Sequence, residues 1–99
     1  MRRSGDWIEP DWTAPRGVRA LCTTRSGGVS LPPFDSLNLG DHVRDDPARV
    51  AANRERLRQH MAPCRPVFLQ QVHGTTSLQL TADTPDGIVA DGCVALAGS

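Results

Sequence analysis

Ninety-nine residues suffice for one small domain with a modest core and not for two. Hydrophobic residues make up 38% and aromatics 4%, so a core has to come from Val, Leu, Ile and Ala rather than from stacked rings. Eleven basic residues balance eleven acidic ones, which removes field-driven binding to nucleic acid or to an anionic membrane. Every basic residue is arginine, so lysine Schiff bases and a P-loop lysine are excluded. Cys22, Cys64 and Cys93 form an odd set without a C-x-x-C pair. That pattern argues against a disulfide framework or a zinc ribbon and fits a reducing compartment. Met1 to Asp6 lead into no apolar run, so neither a signal peptide nor a membrane span is expected and the cytoplasm is the expected location.

In chain order, residues 1–17 place Trp7, Ile8 and Trp12 among prolines and charges and read as an extended arm packing its tryptophans on the body. Gly17 opens a predicted strand in which Val18, Ala20 and Cys22 share a face, giving Cys22 the reading of an inert buried thiol. Gly27-Gly28 permits positive φ, as a tight turn or an anion-binding nest, and the turn is the ordinary use. Leu31-Pro32-Pro33 forces extended backbone. Phe34 to Gly40 then reads as a compact loop pinned by Leu37 and Leu39, with Asn38 directed away from them.

Asp46-Pro47 is a helix start, with Asp46 as N-cap and Pro47 as first helical residue. The helix should run to about Met61 and stop before Pro63. Its apolar stripe is narrow, Val50, Leu57 and Met61, and Arg54 falls inside it. An arginine on that seam can snorkel out, pair with Asp41 or Asp45, or face a ligand cleft. Pro66 begins a strand in which Val67, Leu69, Gln71 and His73 share one face. Gln71 and His73 thus emerge at the polar end of a face that begins apolar, and the strand stops at Gly74. Gly74-Thr75 is a candidate hairpin link to a second strand, Thr76–Thr81. After the turn Thr84-Pro85-Asp86-Gly87, residues 88–96 resume an apolar strand that runs into the last residues with no following element to cover it. An uncovered sheet suggests a truncated chain, or one that needs the rest of its domain or another chain.

Several blocks occur in a fixed order: Thr24 to Ser30, Ser36 to Gly40, His42 to Pro47, Asn53-Arg54, Gln70 to Gly74 and Ala90-Asp91. Together they resemble the N-terminal part of the YfiH family, also called the laccase-domain, multicopper polyphenol oxidoreductase or peptidoglycan editing factor family. The likeness spans about Gly17 to Val94. It implies an α/β (α+β) fold, a mixed β-sheet flanked by helices, of which residues 18–99 would be a truncated N-terminal part. It also implies purine nucleoside phosphorolysis, acting on adenosine, inosine or methylthioadenosine with phosphate, and adenosine deamination. Laccase-like polyphenol oxidation is the older alternative, with copper in place of zinc.

The family's active site resembles a zinc site of two histidines and one cysteine. The histidine of the Gln-Val-His-Gly block carries over onto His73, as metal ligand and catalytic residue. The cysteine and second-histidine blocks do not occur in these residues. Cys93 lies upstream of the family's cysteine position and is not its substitute. The resemblance makes Arg54 the natural phosphate or substrate contact and Arg25, beside the glycine pair, a second one. Asn38 and Gln71 are the remaining substrate-binding candidates. Phe34 stands where the family often has tyrosine, and Arg44 where it often has glycine. Since one histidine supplies a single donor, the chain by itself is expected to be inactive. The competing readings are a cysteine hydrolase pairing His73 with Cys93 or Cys22, and a non-enzymatic module that binds nucleoside or protein through the uncovered sheet.

Overall fold

Asp46 caps the one helix of the described residues, α1 (Pro47–Met61), accepting the Ala48 N–H at 3.0 Å. Both the cap and the proline at the first turn are as the sequence predicts, and the helix ends at Met61. The computed structural model describes residues 2–4 and 6–96, the first of these stretches by its backbone only. Secondary structure is mixed. β1 (Arg2–Ser4) pairs antiparallel with β2 (Trp7–Glu9), and β3 (Ser77–Gln79) pairs parallel with β4 (Gly92–Val94). The chain divides into two compact units, Met1–Pro63 and Cys64–Ser99. No helix among the described residues is long and apolar enough to cross a membrane.

In the first unit, the stretch read as an extended arm holds the β1–β2 hairpin. Trp7 is buried, its indole N–H donating to Ser26 O at 3.1 Å and its ring meeting His60 edge-on at 4.8 Å between centroids. Trp12 is 52% exposed, so only one tryptophan is packed as expected. The strand predicted after Gly17 is not formed. The chain turns there, with Gly17 at φ 81° and Val18 N–H on Pro15 O. Only Cys22 reaches β2, in a single bridge to Ile8. Without a continuous ladder the alternation of Val18, Ala20 and Cys22 decides nothing, and Cys22 is exposed rather than buried.

The α1 stripe buries Val50 and Leu57 as predicted, with Met61 half-buried. Between them sits Asn53, at 0% exposure. Its Oδ1 accepts the Val29 N–H, and its amide donates to Ser30 Oγ and Asn38 O, each at 2.8 Å. The arginines of α1 continue the pattern. Arg49 donates to Val29 O, Arg54 to Leu39 O and Arg56 to Gly27 O, at 2.8, 2.8 and 3.0 Å. The helix therefore holds the 24–40 loop by its main chain. Gly28 permits the closest approach within that loop, since a Cβ there would lie 2.1 Å from Ser36 O.

The hairpin predicted at Gly74-Thr75 is not formed in the second unit. Residues 68–70 and 76–80 both pair in parallel with the single stretch 87–94, through the Gln70↔Val89 bridge and then β3–β4. Seven positions separate Gln70 from Ser77 but three separate their partners Val89 and Gly92, so four extra residues bulge out of the ladder. A two-residue link would demand antiparallel neighbours, and residues 87–94 supply a parallel partner instead. Cys93, within the run expected to be an apolar strand, is exposed on β4, as is Val94, and Val89 and Leu96 outside β4 are exposed too.

Two substitutions test this account. Asn53→Ala strands the Val29 N–H and the Asn38 carbonyl under α1 and should cost on the order of 3 kcal/mol in urea unfolding; a neutral result would show that the network is dispensable. Arg44 lies at φ 70° just before the helix, a left-handed conformation that costs a side-chain-bearing residue about 1 kcal/mol. Arg44→Gly should raise the unfolding midpoint by a comparable increment, and a lower midpoint would contradict the strain.

Candidate functional site

His73 stands at the excursion between the two paired stretches and is exposed. Period-two alternation does not place it. The chain leaves the ladder after Gln70, and His73 adopts φ 60°. Residues 72–74 turn three consecutive N–H groups inward onto one carboxylate. Val72 and His73 donate to Asp91 Oδ1 at 2.9 and 2.7 Å, and Gly74 to Oδ2 at 2.8 Å. Successive amides converging in this way form an anion-binding nest, and here the anion is the chain's own. Burial pushes the Asp91 carboxyl up, but the amides of Gly74, Val72 and His73, with the His73 charge, outweigh it and hold the group below the usual carboxylate range. Gln71, also exposed, begins the same excursion.

The remaining candidates belong to the first unit. Arg54 is half-buried, with Nε on Leu39 O and its guanidinium 3.8 Å from Asp41, so it takes up the pairing with Asp41 that its helical phase allowed. Asn38 donates to Gly40 O and Asp45 Oδ2 and accepts the Gly40 N–H, at 3.1, 3.2 and 3.1 Å. Its carboxamide thus builds the loop, and Asn38 and Arg54 grip the same 38–41 turn. Arg25 is mostly exposed, with Nε on Asp35 O at 3.0 Å and its guanidinium 3.3 Å from the Asp35 carboxylate. Its own carbonyl accepts the Ser36 and Leu37 N–H groups. The double glycine beside it serves the turn and close approach rather than an anion nest; the nest lies at residues 72–74.

Asp45 joins this cluster from the segment before α1. Its carboxylate accepts Ser30 Oγ at 2.5 Å and the Asn38 amide, and the Asp46 N–H at 2.7 Å. The Ser30 hydrogen bond is the main cause that holds its pKa down; burial opposes it, and Asn38, the Asp46 amide and the Arg49 charge assist. Residue types alone single out neither Asp45 nor Asp91. The available signals are a serine and an asparagine spaced to reach Asp45, and for Asp91 a carboxylate before glycine inside an apolar run.

Among the described residues no three His, Cys, Asp or Glu side chains gather into a group that could hold a metal ion. His73 offers one exposed imidazole, which is one donor of the three or four that a zinc site requires. These residues do not by themselves make up such a site.

Residues 19–97 match the family described as multi-copper polyphenol oxidoreductase laccase. A Pseudomonas aeruginosa protein named purine nucleoside phosphorylase is 60% identical over 73 residues, covering 74% of this chain and 30% of its own length. The Escherichia coli protein named purine nucleoside phosphorylase YfiH is 53% identical over 77 residues, covering 77% and 32%. A crystal structure of a Neisseria meningitidis protein superposes with a TM-score of 0.67 at 38% identity, covering 83% of this chain and 35% of that one. The chain thus spans about a third of the length of these relatives.

The Asp45 cluster gives a pH dependence of known sign. A carboxylate whose folded pKa is depressed contributes stability above its unfolded pKa, and loses it as pH falls through the lower folded value. Thermal unfolding followed downward from its ordinary value of 3.8 should show the wild-type midpoint falling more steeply than that of Asp45→Asn. Parallel curves would show that the Ser30 and Asn38 contacts do not favour the charged form.

Proposed function

Because the chain belongs to the multi-copper polyphenol oxidoreductase laccase family, we propose that it is part of a purine nucleoside phosphorylase acting on adenosine, inosine or methylthioadenosine. The observation that carries this reading is the 60% identity over 73 residues to a protein of that name. The exposed imidazole of His73, on a loop fixed by Asp91, supports it from the geometry.

Phosphorolysis breaks the bond between the sugar's anomeric carbon and the purine nitrogen, and forms a new one from that carbon to a phosphate oxygen. The leaving base takes up a proton, while positive charge builds on the sugar and is met by the phosphate. An enzyme can assist by placing phosphate against the sugar and by delivering the proton to the base. In this reading Arg54 and Arg25 are the phosphate contacts, as planar cations suited to bidentate oxygen pairs. Each would exchange a carboxylate partner for phosphate, Arg54 its pairing with exposed Asp41 and Arg25 its pairing with Asp35. Gln71 and His73, adjacent on one excursion, contact the nucleoside, and Asn38 shapes the turn that presents Arg54. His73 is the one donor these residues give to a zinc ion, with copper as the alternative, and the other donors come from outside them. Bound there, zinc would act as a Lewis acid or activate water, the chemistry that adenosine deamination requires.

The complete gene product should release hypoxanthine from inosine only when phosphate is present. His73→Ala should lower its kcat/KM by roughly a thousandfold, within the range for losing a group that acts at the reacting centre. The 99-residue chain should show no turnover. Phosphate-independent release, or full activity after His73→Ala, would contradict the assignment.

A further inference from the structure

We propose that Asp91 is a positioning residue, its carboxylate setting the 71–75 excursion in the one conformation that aims the His73 imidazole outward; this rests on the reading of His73 as the working side chain. Both ends of the excursion are held by consecutive residues of the opposing stretch. Ala90 donates its N–H to Gln70 O at 3.1 Å where the chain leaves the ladder, and Asp91 donates its own to Thr76 O at 3.0 Å where the chain returns. Ala90 is fully buried, so its main chain is a fixed base. From there the Asp91 side chain reaches into the bulge and takes all three amides at its apex, 2.7 to 2.9 Å away.

The acceptor has to be a carboxylate. Two oxygens serve three donors, and an asparagine in its place would turn an N–H₂ toward one of them. Gly74 leaves the room, since a Cβ there would lie 3.1 Å from Asp91 Oδ2. His73 tolerates φ 60° because its amide and both neighbouring amides are repaid by the same anion. Pairing of residues 68–70 and 76–80 with 87–94 closes the excursion but leaves its apex unspecified, and Asp91 supplies that specification.

The test is NMR on the 99-residue chain and its Asp91→Gly and Asp91→Asn variants, with formate as the probe. The wild type should show downfield amide protons at Val72, His73 and Gly74, and the strong intraresidue amide–Hα contact at His73 that marks positive φ. Asp91→Gly should lose these signatures while β3 and β4 stay paired, and high formate should restore them by refilling the nest. Survival of the signatures without formate would overturn the proposal, as would a failure of formate to restore them on an intact ladder. If Asp91→Gly unpairs β3 from β4, Asp91→Asn decides: a lost Gly74 contact and a displaced His73 signature support the proposal, and an unchanged apex overturns it. Zinc followed on the His73 ring signals separates the two levels. A response in the wild type that is lost in Asp91→Gly and regained with formate supports positioning, whereas an equal response in both overturns it. Absence of any response in the wild type, with the Asp91 signatures present, counts against the metal role of His73 and not against the anchor.

Discussion

A buried carboxamide with two main-chain partners and one hydroxyl partner is the constraint on which the first unit depends. Asn53 is wholly enclosed under α1 and holds an N–H from Val29, a carbonyl of Asn38 and the Ser30 hydroxyl. Buried apolar side chains among the described residues are few: Trp7, Leu37, Val50, Leu57 and Ala90. With so little apolar area removed from water, the irregular 24–40 segment cannot be held by packing alone. Side chains that reach its N–H and C=O groups take over that task, since main-chain polar groups left unpaired inside the protein are costly.

The same device recurs in the second unit with the charges reversed. Where α1 sends Asn53 and three arginines to the loop's main chain, mostly to its carbonyls, the 87–94 stretch sends Asp91 to a loop's amides. Arg65 adds another case, binding the carbonyls of Ala82 and Thr84. The absence of lysine is consistent with this role. A guanidinium offers five donors in a fixed plane and spans adjacent acceptors better than an ammonium does. Arginines that read from sequence as phosphate contacts therefore have a structural occupation already, and a phosphate would have to compete with it.

The helix was legible because its determinants are local. Asp46, Pro47 and the spacing of Val50 and Leu57 act within a few residues of one another. The 18–23 and 74–81 regions were not, because β-propensity and alternation do not say which partner a strand meets or in which direction. Residues 68–70 and 76–80 look like the arms of a hairpin until residues 87–94 are seen to pair with both. Of the site, the family resemblance identified the block that contains His73, and the family match and relatives agree with that resemblance. How the imidazole is presented was not readable. It depends on Asp91, eighteen residues away, and on a left-handed residue that is not glycine. Arg44 is the converse case: the glycine that the resemblance implies at this position would suit its positive φ.

The central claim is that polar side chains, rather than apolar packing, order the loops that carry the candidate residues. Hydrogen–deuterium exchange on the wild-type chain tests it most directly at the excursion, where the segment is exposed and packing contributes least. The amides of Val72, His73 and Gly74 should exchange slowly and as a group, far below free-peptide rates. Exchange of all three at free-peptide rates, with the Gln70 and Leu80 amides still protected, would contradict the account.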